Sequence, residues 1–387
     1  MDFASTSEPP FEKAYQTLFT DKQESIKSPL FNQVLEDGDV DDDNKKCELP
    51  LIDISRLNDY NKEGCLECKR EIIRASKEWG FFQVVNHGIS REVLEKTREE
   101  QVKLFRQPFE RKTKEIICSR LDVKKKMMMR SGSITNSINN SSEGSCSSNN
   151  EMDMKKPIFG DDIYRWGTPT ATSLDHFSWS EAFHIPLSSY DDDVASHPKF
   201  EVLRFIMEEF AMKVSSLADR IAEILAESLG HGPEFFKENC LPNTCYLRLN
   251  RYPPCPFRSQ VFGLMPHTDS DFLTVLYQDH VGGLQLVKNG SWITVKPNPD
   301  ALVINIGDLF QVWSNDVYKS VEHRVIANRQ VERYSVAYFY CPSYDTVIRS
   351  CAEPPIYRDF SFKEYREQVQ EDVVTVGYKV GLLRFLQ

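Results

Sequence analysis

At 387 residues, with 40% hydrophobic and 11% aromatic side chains, the chain is long enough for one large domain or two ordinary ones around a sizeable core. Its formal net charge of −11 argues against nucleic acid or an anionic membrane surface as the main partner. No apolar run reaches the roughly 18 residues of a membrane helix, and the opening "MDFASTSEPPFEKAYQ" lacks the basic and apolar regions of a secretory signal, so a cytoplasmic or nuclear protein is expected. The ten cysteines follow no framework spacing and read as free thiols. Cys65-Leu-Glu-Cys68 is a lone CxxC inside a helical pattern, which does not make a zinc or redox site.

Residues 1–47 are polar and end on the acidic run "EDGDVDDDNKK"; they read as a disordered leader with a short helix around Phe11 to Phe19. Residues 48–118 carry a short alternating strand at "ELPLIDIS", a helix over "EGCLECKREIIRASKEWG", a β-branched and aromatic strand at "FFQVVNHG" and a helix from Arg91 to Phe105. Residues 119–157 are rich in Ser and Asn and poor in large apolar side chains, so they read as a flexible insertion; the basic triplet Lys124 to Lys126 within it reads as solvated loop. Residues 158–240 resume at "YRWGTP" and hold a long amphipathic helix over about Phe200 to Leu229. Its buried stripe is Leu203, Met207, Phe210, Val214, Leu217, Ile221 and Leu225. Over residues 241–345 the pattern shifts to period two, in "TCYLRLNRY", "LTVLYQD", "GLQLVKNGSWITV", "ALVINIGDLFQVWS", "SVEHRVIAN" and "RYSVAYFYCPS". Short strands with "NG" and "GG" turns imply an antiparallel sandwich or barrel. Residues 346–387 return to helix at "SFKEYREQVQ". The expected class is α+β: a β-rich core after a helical N-terminal region, closed by a C-terminal helix.

Read as one strand, "PHTDSDFLTVL" places His267, Asp269 and Asp271 on one face, because residues i and i+2 share a face. A facial metal site needs a third ligand from elsewhere, and His323 in "SVEHRVI" shares a face with Val321 and Val325. Two imidazoles and a carboxylate leave open positions on an octahedral ion, the ligand set of non-haem Fe(II) oxygenases; zinc hydrolases also use such a set. "ERYSVAYF" separates the two. Arg333 and Ser335 share a face with Ala337 and Phe339, and a guanidinium on such a face is costly unless it meets an anion, such as one end of a dicarboxylate co-substrate.

The order His267-x-Asp269, His323, Arg333-x-Ser335, together with "NRYPPCP" (Asn250 to Pro256) and "WGFFQVVNHGI" (Trp79 to Ile89), resembles the plant 2-oxoglutarate/Fe(II)-dependent dioxygenases. The resemblance covers roughly Glu48 to Ser350 and implies a double-stranded β-helix (jelly-roll) core. It implies that His267, Asp269 and His323 bind Fe(II), that Arg333, Ser335 and Tyr252 hold 2-oxoglutarate, that Asn250 supports that site, and that Asp271 is not a ligand. O2 would be the oxidant and ascorbate the reductant, with no side-chain nucleophile or acid–base pair required. "YRWGTPTATSLDHFSWSEAFHIPL", "FGLMPHTDSDFLTVLYQDHVGGLQL" and "VWSNDVYKSVEHRV" look most like gibberellin 2-beta-dioxygenases of the subgroup acting on C20 gibberellins, which implies 2β-hydroxylation that inactivates the hormone or its precursor. The alternatives are a sister oxygenase acting on a flavonoid or auxin, and a non-catalytic hormone-binding protein of the same fold. Trp166, Trp179 and Phe183 are candidates to line a diterpenoid pocket, and Arg165, Arg251 or Arg258 to meet the substrate carboxylate. The insertion at 119–157 departs from the family pattern.

Overall fold

The computed structural model describes residues 7–20, 46–58, 62–114, 164–187, 201–257 and 261–387. The insertion at 119–157, with Lys124 to Lys126, and most of the leader lie outside the described residues.

Thirteen strands build two facing sheets: β1 (Lys46–Cys47), β2 (Leu51–Asp53), β3 (Phe81–Val85), β4 (Tyr164–Trp166), β5 (Glu181–Pro186), β6 (Tyr246–Tyr252), β7 (Phe262–His267), β8 (Leu273–Gln278), β9 (Leu284–Lys288), β10 (Ser291–Val295), β11 (Leu302–Ile306), β12 (His323–Ile326) and β13 (Arg333–Tyr340). The larger has the order β2-β3-β11-β8-β13-β6-β5-β4 and the smaller β1-β10-β9-β12-β7. From β6 onward the chain passes repeatedly between the sheets, so β7 and β8, β10 and β11, and β12 and β13 are consecutive in sequence but lie in different sheets. This is the jelly roll expected. β9 and β10 form a hairpin whose turn, Asn289-Gly290, takes positive φ at both residues, as a two-residue turn matched to strand twist requires.

Period-two alternation gives the large sheet two different faces. On β13, Tyr334, Val336, Tyr338 and Tyr340 alternate with Arg333, Ser335, Ala337 and Phe339. The long helix, Glu201–Glu227, packs its apolar stripe on the first set; all seven stripe residues named above are buried, with Met207, Phe210, Val214, Ile221 and Leu225 at 0% exposure. Each such side chain contributes about 1.5–3 kcal/mol by leaving water. The second face looks toward the small sheet, and a lesser core of Phe81, Tyr252, Leu284, Leu286, Val303 and Val325 closes one end of the space between them.

Three sequence expectations change. Within the leader, residues 11–14 and 16–20 are helical, as expected for Phe11 to Phe19, but this piece is folded onto the body. Phe11 is 3% exposed and stacks on Trp179 at 4.4 Å, and Glu8 pairs with Arg251 at 2.6 Å. Second, "DLFQVW" is a helix (Asp308–Trp313) rather than more strand. A short apolar run carries no period of its own, and Leu309, Phe310, Val312 and Trp313 are all buried in the helical form. Third, "PHTDSDFLTVL" is not one strand. β7 ends at His267, β8 starts at Leu273, and Asp269 and Asp271 lie in the turn where the chain changes sheets.

Candidate metal centre and co-substrate cavity

The turn brings together what strand geometry alone could not. His267 closes β7 and His323 opens β12; the two are cross-strand partners with ring centroids 4.3 Å apart. Asp269 swings in from the turn so that its Oδ1 lies 3.6 Å from His267 Nε2 and 3.7 Å from His323 Nε2. The three ligand atoms lie within 4.8 Å of one another, which suits one metal ion. Nδ1 of His267 faces the Met265 carbonyl at 2.8 Å and Nδ1 of His323 the Val321 carbonyl at 3.1 Å. A carbonyl only accepts, so Nδ1 carries the proton in each ring and each Nε2 keeps its lone pair.

Protonation states fit as well. Burial, reinforced by the neighbouring His323, pushes His267 down to about 3, so its imidazole is neutral at physiological pH. For Asp269 burial alone would raise the carboxyl, but His323, His267 and the hydrogen bonds of Thr274 and Asn305 outweigh it and bring it down to about 2. A neutral imidazole and an ionised carboxylate are the forms that bind a divalent ion. Thr274 Oγ1 and Asn305 Nδ2 both donate to Asp269 Oδ2, at 2.6 and 2.8 Å, which leaves Oδ1 turned to the histidines. Both residues project from the large sheet, from β8 and β11.

Asp271 lies outside this group of three and meets it only through Thr274. It is 1% exposed, sits 3.0 Å from Thr274 Oγ1 through Oδ2, and is pushed well up by burial and then by Asp269. Its backbone carbonyl accepts from Leu309 N, as that of Asp269 does from Asp308 N, so the turn also caps the helix Asp308–Trp313. Gly307 is required there: a Cβ would lie 2.2 Å from the Asp271 carbonyl oxygen.

Along one face of β6 and β13 run the cross-strand pairs Tyr252–Arg333, Asn250–Ser335, Arg248–Ala337 and Tyr246–Phe339, and all eight side chains line the cavity that holds the metal cluster. At one end Arg333 is 1% exposed. Its Nη2 donates to Gln278 Oε1 at 2.8 Å, its Nη1 approaches Ser335 Oγ at 3.5 Å, and its plane lies 4.9 Å from the Tyr252 ring centroid. No carboxylate among the described residues pairs with it, and its Nε has no hydrogen-bond partner. A buried guanidinium is costly unless it meets an anion. The helix Arg91–Phe105 braces this end: Gln101 Nε2 donates to the carbonyls of Asn250 and Ser335, at 3.0 and 2.8 Å. "WGFF" also has a task here, since Phe81 packs edge-on against the His323 ring at 5.2 Å.

The aromatic candidates fall elsewhere. Phe183 is buried in the main core; Trp179 and Trp166 belong to the cluster around Phe11 and Phe177. None of the three lines the cavity, so their expected pocket role is replaced by packing. Arg251 points away too, as its alternation with Asn250 and Tyr252 dictates, and is held by Glu181, Glu8 and Glu332 at 2.6–2.9 Å. Arg165 is exposed on the edge strand β4, and Arg258 lies outside the described residues. Besides Arg333, the Arg and Lys side chains that line the cavity are Arg248, Arg366 and Lys379. Arg248 was within reach of sequence reasoning, two residues before Asn250 on the same strand. Arg366 and Lys379 come from the C-terminal helix and the tail, and no local pattern marks them.

The chain is similar to known proteins over most of its length. Residues 243–342 match the 2OG-Fe(II) oxygenase superfamily, and residues 49–141 match the N-terminal region described as non-haem dioxygenase in morphine synthesis. The chain is 50% identical over 389 residues to gibberellin 2-beta-dioxygenase 8 of Arabidopsis thaliana, covering 98% of each chain. It is 44% identical to gibberellin 2-beta-dioxygenase 6 of Oryza sativa subsp. japonica, covering 98% of this chain and 96% of that one. Among solved structures, JOX2 in complex with 2OG, Fe and JA superposes with a TM-score of 0.63 at 29% identity, covering 88% of this chain and 90% of that one.

Proposed function

The chain belongs to the 2OG-Fe(II) oxygenase superfamily, and from that premise we propose how its residues serve a gibberellin 2-beta-dioxygenase. The reaction hydroxylates a gibberellin at C2 and converts 2-oxoglutarate and O2 into succinate and CO2; it inactivates the hormone or its C20 precursor. Fe(II) and 2-oxoglutarate are the cofactors. In our reading His267, Asp269 and His323 hold the iron, and Arg333, Ser335 and Tyr252 hold the distal carboxylate of 2-oxoglutarate, with Asn250 steadying Ser335. The observation that carries these assignments is the pairing, in one cavity, of a preorganised two-histidine, one-carboxylate cluster with a buried guanidinium that no carboxylate among the described residues neutralises.

When bound, the iron with its co-substrate supplies the oxidising power, delivering one oxygen atom of O2 to the substrate and the other to succinate. The chain's own residues do the rest. The Nδ1–carbonyl bonds fix the tautomer of both histidines, Thr274 and Asn305 turn Asp269, Arg333 sets the direction of the co-substrate, and the Tyr246–Phe339 stack gives the cavity an apolar floor. Ascorbate, as a reductant that keeps iron ferrous, and a preference for C20 gibberellins belong to the same reading. So does a cytoplasmic or nuclear setting, which the eight free cysteines among the described residues support. No helix among the described residues is long and apolar enough to cross a membrane.

The test is product analysis by mass spectrometry, offering C19 and C20 gibberellins with Fe(II), ascorbate and 2-oxoglutarate. A 2β-hydroxylated product with one succinate per turnover is expected, and none from the His323→Ala variant. Product formation at the parental rate by His323→Ala would overturn the iron assignment. Turnover of a flavonoid or auxin in place of any gibberellin would overturn the substrate.

A further inference from the structure

Two cationic regions face the cavity, and one co-substrate cannot fill both. Arg248 sits opposite Ala337 on the same ladder that places Arg333 opposite Tyr252. Four residues along a strand separate Arg333 from Ala337, about 13 Å at roughly 3.3 Å per residue. The five carbons of 2-oxoglutarate are joined by four bonds of about 1.5 Å, so a molecule anchored at Arg333 stops well short of Arg248.

The three cations at this end differ in what they already hold. Lys379 Nζ is spent: it pairs with Asp308 Oδ2 at 2.6 Å and donates to Thr268 O at 2.8 Å and Ser270 Oγ at 2.9 Å. An ammonium has three protons, so no donor is left over. Arg248 gives its Nε to Asn250 Oδ1 at 2.9 Å, and no carboxylate among the described residues pairs with its guanidinium. The small side chain of Ala337 across the ladder leaves room beside it. Arg366, carried by the helix Phe362–Thr375, adds a second positive charge whose field reaches Tyr246 and His184. His184 records the sum: burial, then Arg248, Arg165 and Arg366, hold its imidazole well below the ordinary range. Next to these cations the rings of Tyr246 and Phe339 stack at 4.6 Å and 13°, a flat apolar platform lining the same cavity.

We propose that Arg248, assisted by Arg366, seats a carboxylate of the organic substrate at the end of the cavity away from Arg333, with the substrate's ring skeleton lying on the Tyr246–Phe339 platform. The proposal rests on the gibberellin reading above and sharpens it. One carboxylate locates the substrate relative to the metal cluster, so the seat decides which carbon faces the iron, and a neutral analogue of the same shape loses both affinity and register.

The experiment uses the full chain with Fe(II) and compares a gibberellin with its methyl ester, in Arg248→Gln, Arg248→Lys, Arg366→Gln and the parent. Anaerobic binding is followed by tryptophan fluorescence, and KM values for gibberellin and for 2-oxoglutarate are measured separately under air. The parent is expected to bind acid over ester by about 10- to 100-fold, the span of one or two charge-assisted hydrogen bonds. Arg248→Gln should erase that preference and raise the gibberellin KM by a similar factor while the 2-oxoglutarate KM stays put, and Arg248→Lys should restore part of it. Equal binding of acid and ester by the parent, or a preference that survives both Gln variants, overturns the seat. If the parent favours the acid but makes no hydroxylated product, the gibberellin 2-oxidation reading fails while the carboxylate seat stands.

Discussion

The Arg333→Met substitution separates an anion seat from a structural ion pair, because the two roles predict opposite effects on the ligand-free protein. A buried salt bridge that loses one partner costs about 3–5 kcal/mol, since a charge is left behind in the interior. Arg333 leaves none behind, as no carboxylate among the described residues pairs with it. Its removal forfeits the 2.8 Å hydrogen bond to Gln278, about 1 kcal/mol, and relieves the burial of an uncompensated cation, worth at least as much. Methionine fills the vacated space without a polar atom to satisfy. The stability of the protein without 2-oxoglutarate should therefore stay within about 1 kcal/mol of the parent. The ligand-dependent part moves the other way. At a 2-oxoglutarate concentration of about 100 times Kd the parent gains about 2.7 kcal/mol. Losing about 3 kcal/mol of charge-assisted bonding weakens binding by about 150-fold, which leaves a gain of about 0.3 kcal/mol at the same concentration. Urea unfolding with Fe(II) under anaerobic conditions, with and without 2-oxoglutarate, reads both numbers. A loss of 3 kcal/mol or more without the co-substrate, with its stabilising effect intact, would refute the reasoning.

Asn305→Ala removes one of the two donors that turn Asp269 toward the histidines, so Fe(II) affinity should fall about 10- to 100-fold by calorimetric titration; an unchanged affinity would mean that Thr274 alone suffices. Acid should weaken the metal-free fold. His267 is held down to about 3 when folded and titrates near 6.5 when unfolded, so between those values the unfolded chain binds the extra proton and stability falls with falling pH. From pH 6.5 to 5 the loss is about 1.7 kcal/mol by urea titration, and a flat profile would show that His267 gains its proton in the fold. Phe210→Ala, at the fully buried centre of the long helix, should cost about 3–5 kcal/mol in the same assay; less than about 1 kcal/mol would mean that the helix and sheet close over the cavity it leaves.

Much of the fold was legible because its periods are long or bounded by turns. The stripe from Leu203 to Leu225 repeats over more than six helical turns, so an error of one residue at either end cannot hide it. The hairpin β9–β10 is announced by Asn289-Gly290, whose positive φ angles few other residue pairs accept. "DLFQVW" offered neither signal. Its apolar residues Leu309, Phe310, Val312 and Trp313 are buried in the helix with no period of their own to announce it, and its first turn is fixed by a pair of backbone carbonyls some forty residues earlier, those of Asp269 and Asp271. The segment around Phe11 failed differently. Its composition is that of a leader, but Phe11, Tyr15 and Phe19 find partners in Trp166, Phe177, Trp179 and Phe257, all far away in sequence.

The residues of the metal cluster were legible, yet the geometry first used to group them was wrong, and the difference matters physically. A single strand carrying His267, Asp269 and Asp271 would have built the cluster within one sheet. Instead the histidines belong to the small sheet, and Asp269 sits in the connection to the large one, clamped there by Thr274 and Asn305. The turn also distinguishes the two aspartates, which alternation cannot: Asp269 reaches the histidines, while Asp271 is turned back under the helix Asp308–Trp313 against Gly307. A metal ion bound by all three residues would therefore tie one sheet to the other. Arg333 and Arg248 stand on the large sheet alone, so any shift between the sheets would move both guanidinium groups relative to the two histidines together. The distance between the two guanidinium groups is then fixed by the register of β6 on β13, and their distance to the histidines by how firmly Asp269 is held between the sheets.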